Sequence, residues 1–255
     1  MNTNPPAPQP LVDAILAARA GGSRASRNAT PAPADRGAAY ATQAAVARAL
    51  QATAGGFKVG MLADGTPMSA PMLAGDIRAS GATWTLPRAG ALTVEVELAF
   101  RLARDLPPRP SRAFTRAEVA SAIDAVLVGV EILRSRFDGD GFPPFALHLA
   151  DNLGNAGYVV GESTRDFRSR DLARLRCRCT LDGVARHDAI GGHPQDDPWR
   201  PLLACLDEGA MALGGLRAGQ VVTTGTLLPP IVVDGPLQLH ASLEGIGGVD
   251  VTFAR

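Results

Sequence analysis

The chain has 255 residues with 25 basic and 25 acidic side chains, so it carries no net charge at pH 7 when its histidines are neutral. That balance lacks the basic surplus a general nucleic-acid or anionic-membrane binder rests on, and no apolar run reaches the ~18–20 residues needed to span a bilayer. The opening Met1-Asn2-Thr3-Asn4-Pro5-Pro6 has neither the basic nor the apolar part of a signal peptide, so a cytoplasmic protein able to bury a sizeable core is expected.

Residues 1–9 are rich in proline and are expected to be disordered. Leu11 to Ala20 reads as a short amphipathic helix stopped by Gly21-Gly22. A connection of Ser, Pro, Ala and Arg leads to a second helix from about Ala38 to Thr53, ended by Gly55-Gly56. Phe57-Lys58-Val59-Gly60-Met61 is a short strand with one lysine in apolar company. Such a lysine either snorkels to water or is a buried ammonium beside an anionic site. Residues 63–81, with Pro67, Pro71 and three glycines, read as an irregular loop of the length that often carries function, and Asp76 is its last acid. Trp84-Thr85-Leu86 is a short strand.

Val94 to Phe100 alternates apolar and polar with the period of a half-buried strand. Glu95 and Glu97 therefore share a face, with Cα atoms ~6.5–7 Å apart. Two neighbouring carboxylates repel, so they belong either on a wet face or around a divalent cation such as Mg²⁺ or Mn²⁺. Spacing alone leaves both readings open, the wet face being the commoner. A capping box, Thr115 with Glu118, starts a helix that is expected to continue through Val126 and Leu127. It leads to a buried strand, Val128 to Leu133, that contains Glu131. A glutamate in an apolar run needs a partner, either a cation or the nearby Arg134 and Arg136. His148 to Gly157 reads as a polar, turn-prone cluster, and Tyr158 to Gly161 as a strand. Residues 174–181 and 184–190 pair through an Asp182-Gly183 turn. Cys177 and Cys179 share one face of the first of these and read, with Cys205, as reduced packing residues. A zinc site would need two further ligands that the spacing does not offer. Trp199 opens a helix to about Leu213, Val221 to Leu228 is a strand, and residues 237–243 and 249–253 form a terminal pair. The sum is α+β with mixed or antiparallel sheets.

Taken in order, Gly56-Phe57-Lys58-Val59-Gly60, Val94 to Phe100, Val130-Glu131-Ile132 with Ser135-Arg136, Ala150-Asp151-Asn152, Gly192-His193-Pro194 and Val222 to Leu227 resemble the 2-keto-4-pentenoate hydratase group of the fumarylacetoacetate hydrolase superfamily. The resemblance runs over roughly residues 38–253 and rests on the ordered set, not on any one motif. It implies a mixed β-sandwich roll with an N-terminal helical region, divided here as 1–54 and a catalytic domain 55–255. It implies Mg²⁺ or Mn²⁺ held by Glu95, Glu97 and Glu131, with Lys58 and, less surely, Asp76 as catalytic groups. Asp151, Asn152, Thr226 and Arg134 would bind or shape the pocket for a small 2-oxo acid or dienoate. Arg134 stands where many members of that family have an aspartate. The reaction implied is addition of water to a 2-hydroxyalka-2,4-dienoate through a stabilised enolate, in aromatic-compound catabolism, by a homo-oligomer. A 4-oxalocrotonate-type decarboxylase, with Arg134 or Arg78 taking a second carboxylate, and a non-catalytic relative are the alternatives. A C–C hydrolase of this fold would use a histidine near the metal. None precedes His148, and His148, His187, His193 and His240 read as structural or surface residues.

Overall fold

The computed structural model describes residues 6–21, 23–109, 111–209 and 214–255. In chain order the helices are α1 (Gln9–Arg19), α2 (Arg36–Ala49), α3 (Arg116–Ala122), α4 (Phe145–Ala150) and α5 (Trp199–Ala204). The strands are β1 (Ala54–Met61), β2 (Pro67–Leu73), β3 (Ile77–Ala79), β4 (Ala82–Thr85), β5 (Leu92–Leu102), β6 (Ile123–Leu133), β7 (Asn155–Thr164), β8 (Arg176–Leu181), β9 (Val184–Ile190), β10 (Val221–Thr226), β11 (Ile231–Val233), β12 (Leu237–Leu243) and β13 (Gly247–Ala254). They form two mixed sheets, β2-β1-β10-β5-β6-β7-β3 with β11 beside β5, and β4-β13-β12-β8-β9. The class is the expected α+β. No helix among the described residues is long and apolar enough to cross a membrane.

Period two decides which face of the large sheet does what. Val94, Val96, Leu98 and Phe100 of β5, with Val126, Val128, Val130 and Ile132 of β6, point into a core shared with the second sheet. Cys177, Cys179, Leu239, Ala241, Val249 and Val251 close that core from the other side. All three cysteines are free and buried, and burial pushes the Cys177 and Cys179 thiols up to about 12 and about 11. The intervening residues, Glu95, Glu97, Leu127, Gly129, Glu131 and Leu133, occupy the opposite face. Over that face lies a second, smaller core in which Leu11, Val12 and Ile15 of α1 and Tyr40 and Val46 of α2 pack with Leu147, Leu149 and Leu153. Gln43 ties the layers together, donating to the carbonyls of Leu149 at 2.6 Å and Ser69 at 3.2 Å.

Four expectations change. Residues 67–73 are a buried strand, not loop, paired antiparallel to β1 with Pro71 opposite Phe57. Two prolines fit because β2 is the edge of its sheet, where a missing N–H costs no ladder bond. The helix opened by Thr115 and Glu118 has its capping box but ends at Ala122. Ile123 to Leu127 are already strand, with Leu127 opposite Ala99 and Asp124 reached by Arg101 of β5. Residues 145–150 are a short helix, where the sequence suggested turns. The last helix breaks into a wider turn at Cys205. Its expected end at 210–213 lies outside the described residues, as do residues 1–5 of the expected disordered start. Gln9 already belongs to α1.

Candidate active site

The three glutamates meet because of register. Glu95 of β5 stands directly opposite Glu131 of β6, and Glu97 stands opposite Gly129. One carboxylate oxygen from each lies within 4.8 Å of the others. A common point then exists no more than about 2.8 Å from all three, the circumradius of an equilateral triangle of that edge. Small side-chain shifts bring this to the 2.0–2.6 Å of Mg²⁺ or Ca²⁺ bonds. Glu131 is fully buried and Glu97 is 2% exposed.

Their neighbours divide into satisfied and unsatisfied contacts. Asn155 Nδ2 donates to Glu131 Oε1 at 2.8 Å. Thr223 Oγ1 donates to Glu97 Oε2 at 2.5 Å, and Tyr158 Oη sits 3.5 Å from that hydroxyl. The Tyr158 ring lies over Gly129, where any Cβ would overlap it, so the glycine in mid-strand is what lets the tyrosine lie there. Lys58 comes from β1, which β10 separates from β5. Its Nζ is 2.9 Å from Glu131 Oε2 and donates to the Leu153 carbonyl at 3.2 Å. The Lys58–Glu131 contact is an ion pair off the line of a hydrogen bond, and Oε2 has no aligned donor. Leu153 reaches Lys58 from a left-handed conformation (φ 51°, ψ 36°), flanked by Asn152 (φ 51°) and Gly154 (φ 75°). Asparagine and glycine tolerate this; leucine does so at a cost of ~1–2 kcal/mol.

Three carboxylates crowd one ammonium, more acids than a single cation can match. Burial above all, then repulsion from Glu131 and Glu95, holds the Glu97 carboxyl well above its usual range. Burial, eased by Lys58 and opposed by Glu131, raises Glu95 to about 6. For Lys58 burial works downward, but Glu131, Glu95 and Glu97 outweigh it and the ammonium is raised. A dication among these oxygens would offset their mutual repulsion, so the donor set fits a hard divalent metal.

Glu95, Glu97 and Lys58 line the floor of a cavity of about 310 Å³, and Glu131 is buried behind them. Its walls include Met61, Leu62, Met68, Leu133, Phe142 and Phe145, with Gln195 and Thr226 as polar points. His148, read from the sequence as structural, lines the same cavity. Its ring packs on Phe142 with centroids 4.4 Å apart, and Nδ1 is buried without a hydrogen-bond partner. Burial, then Lys58 and Arg136, lowers its pKa to about 3, so the imidazole is neutral. Helical spacing on α4 was the missed signal, since it turns His148 to the sheet. Asn155 was missed because a neutral amide after a turn has no sequence signature.

The other sequence-predicted residues stand elsewhere. Asp76 lies outside the cavity, 3.4 Å from Arg19. Arg134 follows Leu133 on the strand and so faces away, into two other recesses. Asp151 is buried and bound by Arg136, and Asn152 donates to the Pro71 carbonyl at 3.4 Å. These last two support the Leu153 turn and do not line the cavity. Arg78 stacks on Trp84, 4.3 Å from the ring centre.

Residues 47–254 match the family model for the fumarylacetoacetate (FAA) hydrolase C-terminal domain. The chain is 33% identical over 165 residues to a 2-keto-4-pentenoate hydratase of Burkholderia vietnamiensis, covering 64% of this chain and 60% of that protein. It is 28% identical over 178 residues to a 2-hydroxyhexa-2,4-dienoate hydratase of Comamonas testosteroni, covering 69% and 66%. The match with the former thus spans about 60% of that relative's length. Among solved structures, a 4-oxalocrotonate decarboxylase from Pseudomonas putida, complexed with magnesium and adipate, is similar over 95% of both chains with a TM-score of 0.80 and 18% identity. A fumarylpyruvate hydrolase from Pseudomonas aeruginosa in complex with Mn²⁺ and pyruvate has a TM-score of 0.55 and 14% identity over 78% of this chain and 88% of that one. These two are likenesses of fold.

Proposed function

The chain belongs to the fumarylacetoacetate hydrolase family, and from that premise we propose that it is a metal-dependent hydro-lyase adding water to a 2-hydroxyalka-2,4-dienoate to give a 4-hydroxy-2-oxo acid. The observation that carries the reading is the convergence of Glu95, Glu97 and Glu131 on one point, with Glu95 and Glu97 opening onto the floor of a mainly apolar cavity. Glu95, Glu97 and Glu131 would hold Mg²⁺ or Mn²⁺, which when bound supplies Lewis-acid charge and a template for the carboxylate and 2-oxygen of a 2-oxo acid.

The chain's own residues would do the rest. Lys58, kept charged by the carboxylates, offers positive charge to an oxygen that becomes anionic as the enol ketonises. Asn155 and Thr223 fix the rotamers of Glu131 and Glu97, and the Leu153 carbonyl holds the Lys58 ammonium in place. Phe142, Phe145, Leu133 and Met68 surround the hydrocarbon end of the substrate and keep bulk water from it. Neutral His148 presents an imidazole nitrogen to the cavity that can accept a hydrogen bond from water and orient it, although with its pKa lowered to about 3 it is too weak a base to hold the proton. The hydratase relatives favour this chemistry. A decarboxylase acting on a dioate would need a cation for the second carboxylate. No arginine is among the cavity's described lining residues, since Arg134 and Arg78 point elsewhere.

The test is loss of the dienoate chromophore by metal-stripped protein resupplied with Mg²⁺ or Mn²⁺, beside calorimetric titration of the metal. Saturable metal binding and metal-dependent consumption of a monocarboxylic dienoate are expected. Glu131→Gln should weaken metal binding ~100-fold or more and abolish turnover. Turnover of an oxalocrotonate-type dioate alone, with CO₂ released, would replace hydration by decarboxylation. Absence of metal binding by folded protein would remove both.

A further inference from the structure

The excess negative charge at the carboxylate cavity has a counterpart of opposite sign. A recess of about 220 Å³ is lined by Arg19, Arg24, Asp76, Arg134, Ser135 and Arg136. A second recess of about 360 Å³ borders it across Arg24, Arg134 and Ser135. The acids present do not match these cations. Arg136 is used up by Asp151, to whose carboxylate and carbonyl it donates from Nε and Nη2. Asp76 serves Arg19 alone, from 3.4 Å. Arg24 donates to the carbonyls of Phe137 and Gly139 at 2.6 and 3.1 Å, which satisfies hydrogens but leaves its charge. The Arg134 guanidinium has no hydrogen bond or ion pair among the described residues, although the residue is half-buried. Arg19 Nη2 is buried with no acceptor. Arg19, Arg24 and Arg134 therefore bring three charges to one carboxylate. Asp140, exposed at the outer recess, is the other acid in reach.

A guanidinium held away from water without an acceptor is costly, and its planar fork suits carboxylate and phosphate oxygens. The inner recess, about 220 Å³, is of a size for a compact ion. We propose that the recess between Arg19, Arg24 and Arg134 is an oxyanion site, separate from the carboxylate cavity, for a small doubly charged anion with the chemistry of inorganic phosphate or a short dicarboxylate. Arg19 Nη2 and the Arg134 fork are its principal donors. The site does not depend on the reaction proposed above.

Calorimetry and thermal denaturation of the metal-free full chain, with phosphate and succinate in separate arms at constant ionic strength, test this. Saturable binding of either anion near one per chain, with a rise in Tm as the anion is added, is expected. The arm that binds tells tetrahedral from dicarboxylate chemistry. Arg134→Gln should weaken binding at least tenfold. Arg134→Glu should abolish it and raise the Tm of anion-free protein, because its carboxylate would stand among the arginines in the anion's place. No binding of either anion up to about 10 mM, or unchanged affinity in Arg134→Gln, or a lower anion-free Tm in Arg134→Glu, would overturn the assignment.

Discussion

Two buried ion pairs share one residue of this molecule and differ in how completely they are satisfied. Arg136 and Asp151 leave little over. Asp151 accepts from Arg136 Nε at 2.5 Å, from the Arg136 amide at 2.9 Å and from Ser135 Oγ at 3.4 Å, while Arg136 Nη1 donates to the Asn155 carbonyl at 2.7 Å. Lys58 and Glu131 are also in contact, at 2.9 Å, yet Glu131 Oε2 lacks an aligned donor and two further carboxylates crowd the same point. Asn155 connects them, with its carbonyl on Arg136 and its amide on Glu131. A pair that holds the fold is saturated by its own donors. A pair at a site keeps unmatched charge for something that is to bind.

The largest effect expected from this contrast is at the saturated pair. Asp151→Ala leaves Arg136 buried without its anion and should cost about 3–5 kcal/mol in urea denaturation. Glu131→Gln in metal-free protein keeps the shape and the Asn155 contact while removing one of three repelling carboxylates, so it should cost far less. Equal losses in the two variants would mean that both pairs are structural, and the contrast would be gone.

A smaller effect concerns the histidine beside the unsaturated cluster. The folded protein holds His148 at about 3, chiefly through burial, against 6.5 for a free imidazole. The unfolded chain therefore takes up the proton first, and stability present above pH 6.5 is lost as pH falls toward 3. Between pH 7 and pH 5 the loss should be about 1–2 kcal/mol, and His148→Phe should remove it. Glu95, raised to about 6 mainly by burial, acts in the opposite sense over the same interval. The difference between wild type and variant, not the wild-type slope, is the quantity to measure. Identical pH profiles would place His148 in contact with water rather than in the cavity wall.

Glu97→Gln should move metal-free stability by less, an increase of up to about 1 kcal/mol at neutral pH, because it relieves repulsion at a site where burial already disfavours the charge. The same variant should lose metal affinity. Stability and binding moving in opposite directions is the signature of charge reserved for a ligand.

The sequence made some of this legible and hid the rest for identifiable reasons. Alternation in β5 places Glu95 and Glu97 on one face, and the apolar run around Glu131 says that it needs a partner. Which partner is a matter of register between strands distant in the chain. Arg134 and Arg136 were nearer in sequence, yet Lys58, 73 positions away, is the ion-pair partner. Asp76 and Arg134 show the converse, since proximity to a motif does not give direction and one step along β6 turns a side chain to the other face. Local signals with a mechanism are visible in the fold, namely the Thr115–Glu118 box and the Asp182-Gly183 turn. Elements decided by tertiary context were not legible. The proline-bearing β2 is a strand because it is an edge, and α3 passes into β6 at Ile123 with no turn residue to announce it.

The smallest expected effect sets the lower limit of the contrast. Arg101 and Asp124 form a two-pronged pair across β5 and β6, with both contacts at 2.9 Å, a geometry no worse than that of Arg136 and Asp151. Here the side chains are 35% and 28% exposed, and water competes for every donor. Asp124→Asn should therefore change stability by about 1 kcal/mol or less, and added salt should shrink the difference further. A loss approaching that of Asp151→Ala would show that hydrogen-bond geometry, not burial with saturation, sets the worth of a pair in this fold, and the unmatched charge at Glu131 would then lose its special meaning.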